Sequence, residues 1–224
     1  MKPLGILMLD TRFPRPRGDI GNRDTFPYPV VFKVVSDASP TRVIHQQAEG
    51  LVDAFCREAQ ALETEGCGAI VTSCGFLALH QRRLADAVSI PVGTSSLLLI
   101  PLLKTLLGHA LKVGVLTASR HALSGDHLDA AGAPRDTPIV GMLPDGEFAR
   151  VIIGNQTEGD FGLIEEEVVQ AARDLIAQTP ELGAVVLECT NMGPYRAAIS
   201  AACGRPVFDL VDLAHFLMQH ALVR

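Results

Sequence analysis

The chain has 224 residues, 48% of them hydrophobic, and carries a formal net charge of −6. That apolar share supplies a real core, and an acidic balance without any sustained run of Lys and Arg argues against nucleic acid or an anionic membrane as partner. Five cysteines at irregular spacing, with neither CxxC nor a Cys/His ligand cluster, argue against a disulfide framework, a structural zinc site and a redox dithiol, and fit a reducing cytoplasm.

Leu4–Leu9 is a continuous apolar run, as in a parallel strand covered on both faces. Lys2 before so short a run, which ends at Asp10, does not read as a signal peptide. Positions 11–29 hold four prolines, two glycines and four arginines and must be loop. Within it the glycines of RGDIGN, Arg17–Asn22, would let backbone N–H groups approach an anion, so this stretch reads equally as a lid and as a solvated turn. Arg12, Arg15 and Arg17 read as a solvated face in preference to a clamp on a carboxylate. Positions 29–35 form a second strand. Ser39-Pro40 then starts a helix whose stripe of Ile44, Ala48, Leu51, Val52, Phe55, Ala59 and Leu62 predicts one long element closed by Gly66.

A third strand, 69–73, leads to Cys74 and a helix over 77–87. A short strand at 91–94 precedes a helix, capped by Ser95 or Ser96, that runs to Leu107. Pro101 and Lys104 interrupt its apolar stretch, which falls short of the roughly 20 residues of a bilayer span. The order then repeats: strand 112–117, helix 121–131, strand 138–143, loop 144–159, a long helix capped by Asp160, the strand before Cys189, a helix from Pro194, strand 206–208 and a last helix through Leu222. Cys74 and Cys189 lie 115 positions apart, as do Gly68 and Gly183, and Pro91 and Pro206; Gly5 and Gly114 are 109 apart. The second half therefore carries about six extra residues, for which loop 144–159 is the natural place. Strands alternating with helices mean parallel sheets. The predicted fold is α/β: two pseudo-symmetric flavodoxin-like lobes, 1–109 with Cys74 and 110–224 with Cys189, each with a four-stranded mainly parallel sheet, and with the last helix free to pack on the first lobe.

Ligands of open parallel sheets bind beyond the carboxyl ends of the strands. Cys74, Cys189, Asp10-Thr11 and Thr117-Ala118-Ser119 all lie there, so the two cysteines would flank one cleft. Each precedes a helix, whose N-terminus is expected to favour thiolate. Two opposed thiols suit proton removal from one face of a carbon acid and delivery to the other, which inverts the centre without a cofactor. Cys56, Cys67 and Cys203 read as small buried hydrophobes. His80 and His121 read as surface caps, and no Walker A or GxGxxG pattern supports nucleotide binding.

The duplicated layout, with TSCG at Cys74 and ECTN at Cys189, resembles the aspartate/glutamate racemase superfamily, which includes hydantoin racemases, maleate isomerases and arylmalonate decarboxylases. The resemblance covers essentially the whole chain in organisation and is most specific at Cys189-Thr190. It implies a cofactor-independent enzyme, possible homodimer formation, and a site between two lobes that takes a small-molecule carboxylate. Cys74 and Cys189 become the acid/base pair; Asp10, Thr11, Asn22, Ser73, Gly75, Phe76, Thr117, Thr190 and Asn191 become the substrate-binding set, with no metal. Amino-acid racemases place Asn and Thr where this chain has Gly75 and Phe76, and glutamate racemases place His at the position of Asn191, which moves the expected substrate away from a charged amino acid. The resulting expectation is an isomerase: a racemase or epimerase at a carbon next to a carboxylate or carbonyl of an amino acid, hydantoin or related acid. The alternatives are a cis-trans isomerase or decarboxylase using one cysteine, and a two-lobed binding protein without catalysis. Retention of both thiols argues against the decarboxylase branch.

Overall fold

A computed structural model of the chain describes residues 2–221. Strand β1 (Leu4–Leu9) pairs in parallel with β2 (Val30–Val35) and with β3 (Ala69–Thr72), and β3 pairs with β4 (Val92–Gly93), in the order β2-β1-β3-β4. The second half builds β5 (Lys112–Thr117), β6 (Ile139–Gly141), β7 (Leu182–Leu187) and β8 (Val207–Phe208) in the matching order β6-β5-β7-β8, again all parallel. β1, β3 and β7 are buried along their whole length, which is why they read as unbroken apolar runs rather than alternating ones.

The single long helix expected from Pro40 is two. α1 (Pro40–His45) follows its Ser39 cap, and α2 (Val52–Thr64) begins after a break in which Gln47, Ala48 and Gly50 have φ of 53°, 55° and 73°. The apolar stripe stays continuous because Ile44, Ala48, Leu51 and Phe55 are buried on both sides of the break. The carbonyl of Gln47, turned out of the helical line, accepts from the His80 ring at 2.8 Å.

Both cysteines open 3₁₀ segments rather than α-helices. Gly75–His80 leads into the short α3 (Gln81–Ala85), and Thr190–Tyr195, with Pro194 inside it, leads into α7 (Arg196–Cys203). Ser95 caps a further 3₁₀ turn ahead of α4 (Ile100–Leu106). The helix expected over 121–131 is only α5 (Gly125–Ala130), started by a Ser124–His127 capping box. The segment expected to be loop over 144–159 contains a π-helical turn, Ala149–Ile153, before α6 (Phe161–Gln178), whose Asp160 cap accepts from Gly162 and Leu163.

The last helix, α8 (Leu210–His220), is capped by Asp209 and leaves the second sheet for the first. Its Leu210, Leu213, Ala214 and Met218 pack with Leu4, Ile6, Met8, Ala69 and Val71 over one face of the β1–β3 sheet. The far end expected at Leu222 lies outside the described residues. The other core cluster runs through both halves, joining Leu7, Phe55 and Ile70 to Val115, Val186 and Ile199. Among the described residues no helix is long and apolar enough to cross a membrane.

Candidate active site

The carboxyl ends of the central strands meet across the lobe boundary. Ser73 is held from below, its N–H donating to the Leu7 carbonyl and its Oγ accepting from the Leu9 N–H at 2.9 Å. From the second lobe Thr190 Oγ1 donates to the Ser73 carbonyl at 2.8 Å, and from the first Ser96 Oγ donates to the Leu187 carbonyl at 2.6 Å. Each bond ties the segment ending at one cysteine to the opposite half. Cys74 and Cys189 consequently line the same small cavity, of about 20 Å³, together with Thr11, Phe13, Arg15, Ser73, Gly75, Phe76, Glu188 and Asn191. Larger depressions on the surface, such as that between Met142 and α6, hold none of these groups.

The first-lobe loop over 11–29 closes the cavity. Arg15 sits over the Phe13 ring at 4.6 Å and donates to Asp19 at 2.8 Å and to Thr11 Oγ1 at 3.0 Å. Asp19 also accepts from the Gly21 N–H and, at 2.7 Å, from Asn191 Nδ2 of the second lobe. Gly18 and Gly193 pack backbone against backbone, so neither position has room for a side chain. Arg15 was expected on a solvated face with Arg12 and Arg17; those two are exposed, but Arg15 is drawn inward by Asp19 and Thr11.

Of the residues expected to bind substrate, the cavity brings together Thr11, Ser73, Gly75, Phe76 and Asn191 with both thiols. Four others lie outside its lining. Asp10 is exposed at the strand end, its carbonyl accepting from Asn155. Asn22 spans its own loop, donating to the Arg15 carbonyl at 2.7 Å and accepting from the Asp24 N–H. Thr190 is spent on the Ser73 carbonyl. Thr117 is buried one layer back, donating to Glu188 Oε2 at 2.6 Å.

Glu188 was not singled out in the sequence. It is fully buried, and one of its oxygens, Oε1, has no partner. Burial pushes its carboxyl up to about 7, against the Thr117 hydroxyl and the Ala118 amide, which favour the ionised form. The thiols respond in turn. Burial first, then the Glu188 charge, pushes Cys74 up to about 12, although the Phe76 amide and Arg15 oppose them. The same two causes carry Cys189 well above an ordinary thiol. The helix-end expectation of a favoured thiolate is thus reversed, because one amide per sulfur cannot offset the loss of water. Burial holds both as neutral thiols, and Cys189 Sγ donates to Asn191 Oδ1 at 3.6 Å.

No family model matches the chain. Among curated proteins it is similar to the dimethylsulfoniopropionate lyase of Durusdinium sp. clade D, 27% identical over 96% of this chain and 74% of that one. It is 28% identical to dimethylsulfoniopropionate lyase 6 of Emiliania huxleyi (strain CCMP1516), over 96% of this chain but only 58% of the relative. Among solved structures it superposes on unliganded arylmalonate decarboxylase with a TM-score of 0.60 at 13% identity, covering 100% of this chain and 94% of the other. The aspartate racemase of Picrophilus torridus gives 0.56 at 16%, covering 98% and 94%. A glutamate racemase from Bacillus anthracis gives 0.59 at 16%, covering 97% and 82%. At these identities the structures establish the fold.

Proposed function

We propose that this chain, which has the fold of the aspartate/glutamate racemase superfamily, is an enzyme that removes a proton from the carbon next to the carboxylate of a small substrate. We further propose that it completes the reaction as a lyase, expelling a β-sulfonium group. The convergence of Cys74 and Cys189 in one closed cavity carries the proton-transfer step. The similarity to dimethylsulfoniopropionate lyases along 96% of the chain supports elimination as its outcome.

The chemistry follows from the cavity. Arg15 is the cation at its wall and the natural partner of a substrate carboxylate. Dimethylsulfoniopropionate adds a sulfonium, and a positive charge brought beside a buried thiol lowers its pKa, opposing the burial and the Glu188 charge that raise it. A thiolate then takes the α-proton. The C–H pair becomes the Cα–Cβ double bond, the Cβ–S bond breaks with its pair moving to sulfur, and acrylate and dimethyl sulfide leave. The proton stays on the cysteine and returns to water. No group beyond these side chains is required for that balance.

A second reading, racemisation or epimerisation, is favoured by the delivery of one thiol from each half of the molecule. One experiment separates the two. The enzyme is incubated in D2O with dimethylsulfoniopropionate and, in parallel, with single-enantiomer amino acids and hydantoins. Dimethyl sulfide in the headspace, lost in Cys74→Ser or Cys189→Ser, is the expected result. Deuterium at the α-carbon with loss of optical rotation, and no dimethyl sulfide, would replace elimination with racemisation. Undiminished turnover in both variants would overturn the mechanism.

A further inference from the structure

The buried carboxyl of Glu188 is not used by the proton-transfer step, yet the fold makes room for it at some cost. A Cβ at position 75 would collide with the Glu188 carbonyl and press on Oε1. The carboxyl therefore occupies the space that a side chain at 75 would take. Oε2 is fixed by Thr117, while Oε1 lacks a partner in a wall that Gly75, Phe76, Cys74 and Cys189 share. An unpartnered buried carboxyl oxygen costs free energy unless something in the working state meets it. Among the cavity's lining residues the charged groups are Arg15, already paired with Asp19, and Glu188. Such a wall, with a guanidinium at one place and a carboxyl at another, is complementary to a zwitterion.

We infer that Glu188 is the counter-ion for a cationic group of the substrate, a sulfonium or quaternary ammonium, and that Gly75 is the vacancy that admits its carboxyl. Phe76 lines the same cavity, and an aromatic ring is a side chain that attracts such a cation. This assignment rests on the proposed reading only in taking a small carboxylate as ligand; it names the other end of that ligand.

The test is a calorimetric titration of the full chain with 3-(trimethylammonio)propionate and with the isostere that lacks its cationic charge, 4,4-dimethylpentanoate. At pH 8 the wild-type protein is expected to bind the cation at least tenfold more tightly than the isostere. Glu188→Gln is expected to bind the two equally, with affinity for the isostere no weaker than in wild type, which also shows that the variant is folded. A preference that survives in Glu188→Gln, a parallel loss of both ligands, or no binding of either by wild type would overturn the assignment.

A wild-type titration needs no variant. The groups facing Glu188 are Cys74 and Cys189, both held as neutral thiols by burial, and Thr117 and Ala118 from the end of β5. Ionisation of Glu188 should therefore raise the affinity for the cation about tenfold between pH 6 and 8 and give no rise for the isostere; a flat profile for the cation would overturn the assignment. If the cation preference disappears in Glu188→Gln but no sulfonium carboxylate is cleaved, the lyase reading falls and the counter-ion stands. If cleavage occurs and the preference persists in Glu188→Gln, the reverse holds.

Discussion

Serine in place of either cysteine removes one of the two thiols on which the proposed proton transfer rests. Turnover is expected to fall by about 10³ in each variant, the scale of a lost general acid or base. Glu188 adds a pH signature. Its carboxyl is raised from an ordinary 4.5 to about 7, so folding is favoured while it is protonated, and that share is lost as pH rises through about 7. The shift corresponds to roughly 3 kcal/mol, and chemical denaturation between pH 4.5 and 8 should show a decline that Glu188→Gln removes. Arg15 contributes through Asp19: Arg15→Met strands a buried carboxylate and should destabilise by about 3 kcal/mol, while weakening any carboxylate ligand. The cysteines were legible in the sequence because the chain repeats them at equal spacing. Glu188 was not, because its meaning depends on Gly75, which is remote in sequence and adjacent only after the lobes close. Arg15 could not be told from Arg12 and Arg17, since only the folded loop places Asp19 and Thr11 around one of the three.

At the level of elements, periodicity located nearly every strand and helix but missed how they begin and break. The stripe from Ile44 to Leu62 is helical in spacing and buried throughout, so the pattern alone could not reveal the turn at 46–51. Its signal was Gly50, with φ of +73° and no atom near its Cβ position. Gly50→Ala therefore tests backbone strain with no steric contribution, and should cost about 1 kcal/mol in urea denaturation. No loss would mean that the break tolerates a right-handed conformation. The same limit explains the 3₁₀ segments after the cysteines. Local pattern sees apolar residues following Cys74 and Cys189, whereas the tighter winding is set by the lobe boundary, where Gly75 meets Glu188 and Gly193 meets Gly18.

For the whole molecule, the repeat suggests two equal halves, but the chain does not divide its core that way. α8 belongs in sequence to the second half and covers the first sheet, with Leu213 and Met218 over Leu4, Ile6 and Val71. Its His215 also bonds to Tyr28 Oη at 3.0 Å and packs edge-on against that ring, fastening the cavity-closing loop from the outside. The first sheet thus borrows its second layer from residues more than a hundred positions away, and a sheet with one bare apolar face lacks the burial that offsets chain entropy. The exchange runs both ways: the second sheet carries its own α6, while α4 and the 3₁₀ turn before it, from the first half, pack on β5 and β7. A fragment ending at Gly108 is therefore expected to bind a hydrophobic dye and melt without a cooperative transition, while the full chain gives one transition by circular dichroism and by calorimetry. Two separated transitions in the full chain, or a cooperative one in the fragment, would show that the lobes fold independently. A single transition would couple the cavity to the docking of α8: Leu213→Ala, costing about 2–3 kcal/mol, should then lower the melting temperature of the entire molecule rather than of the first lobe alone.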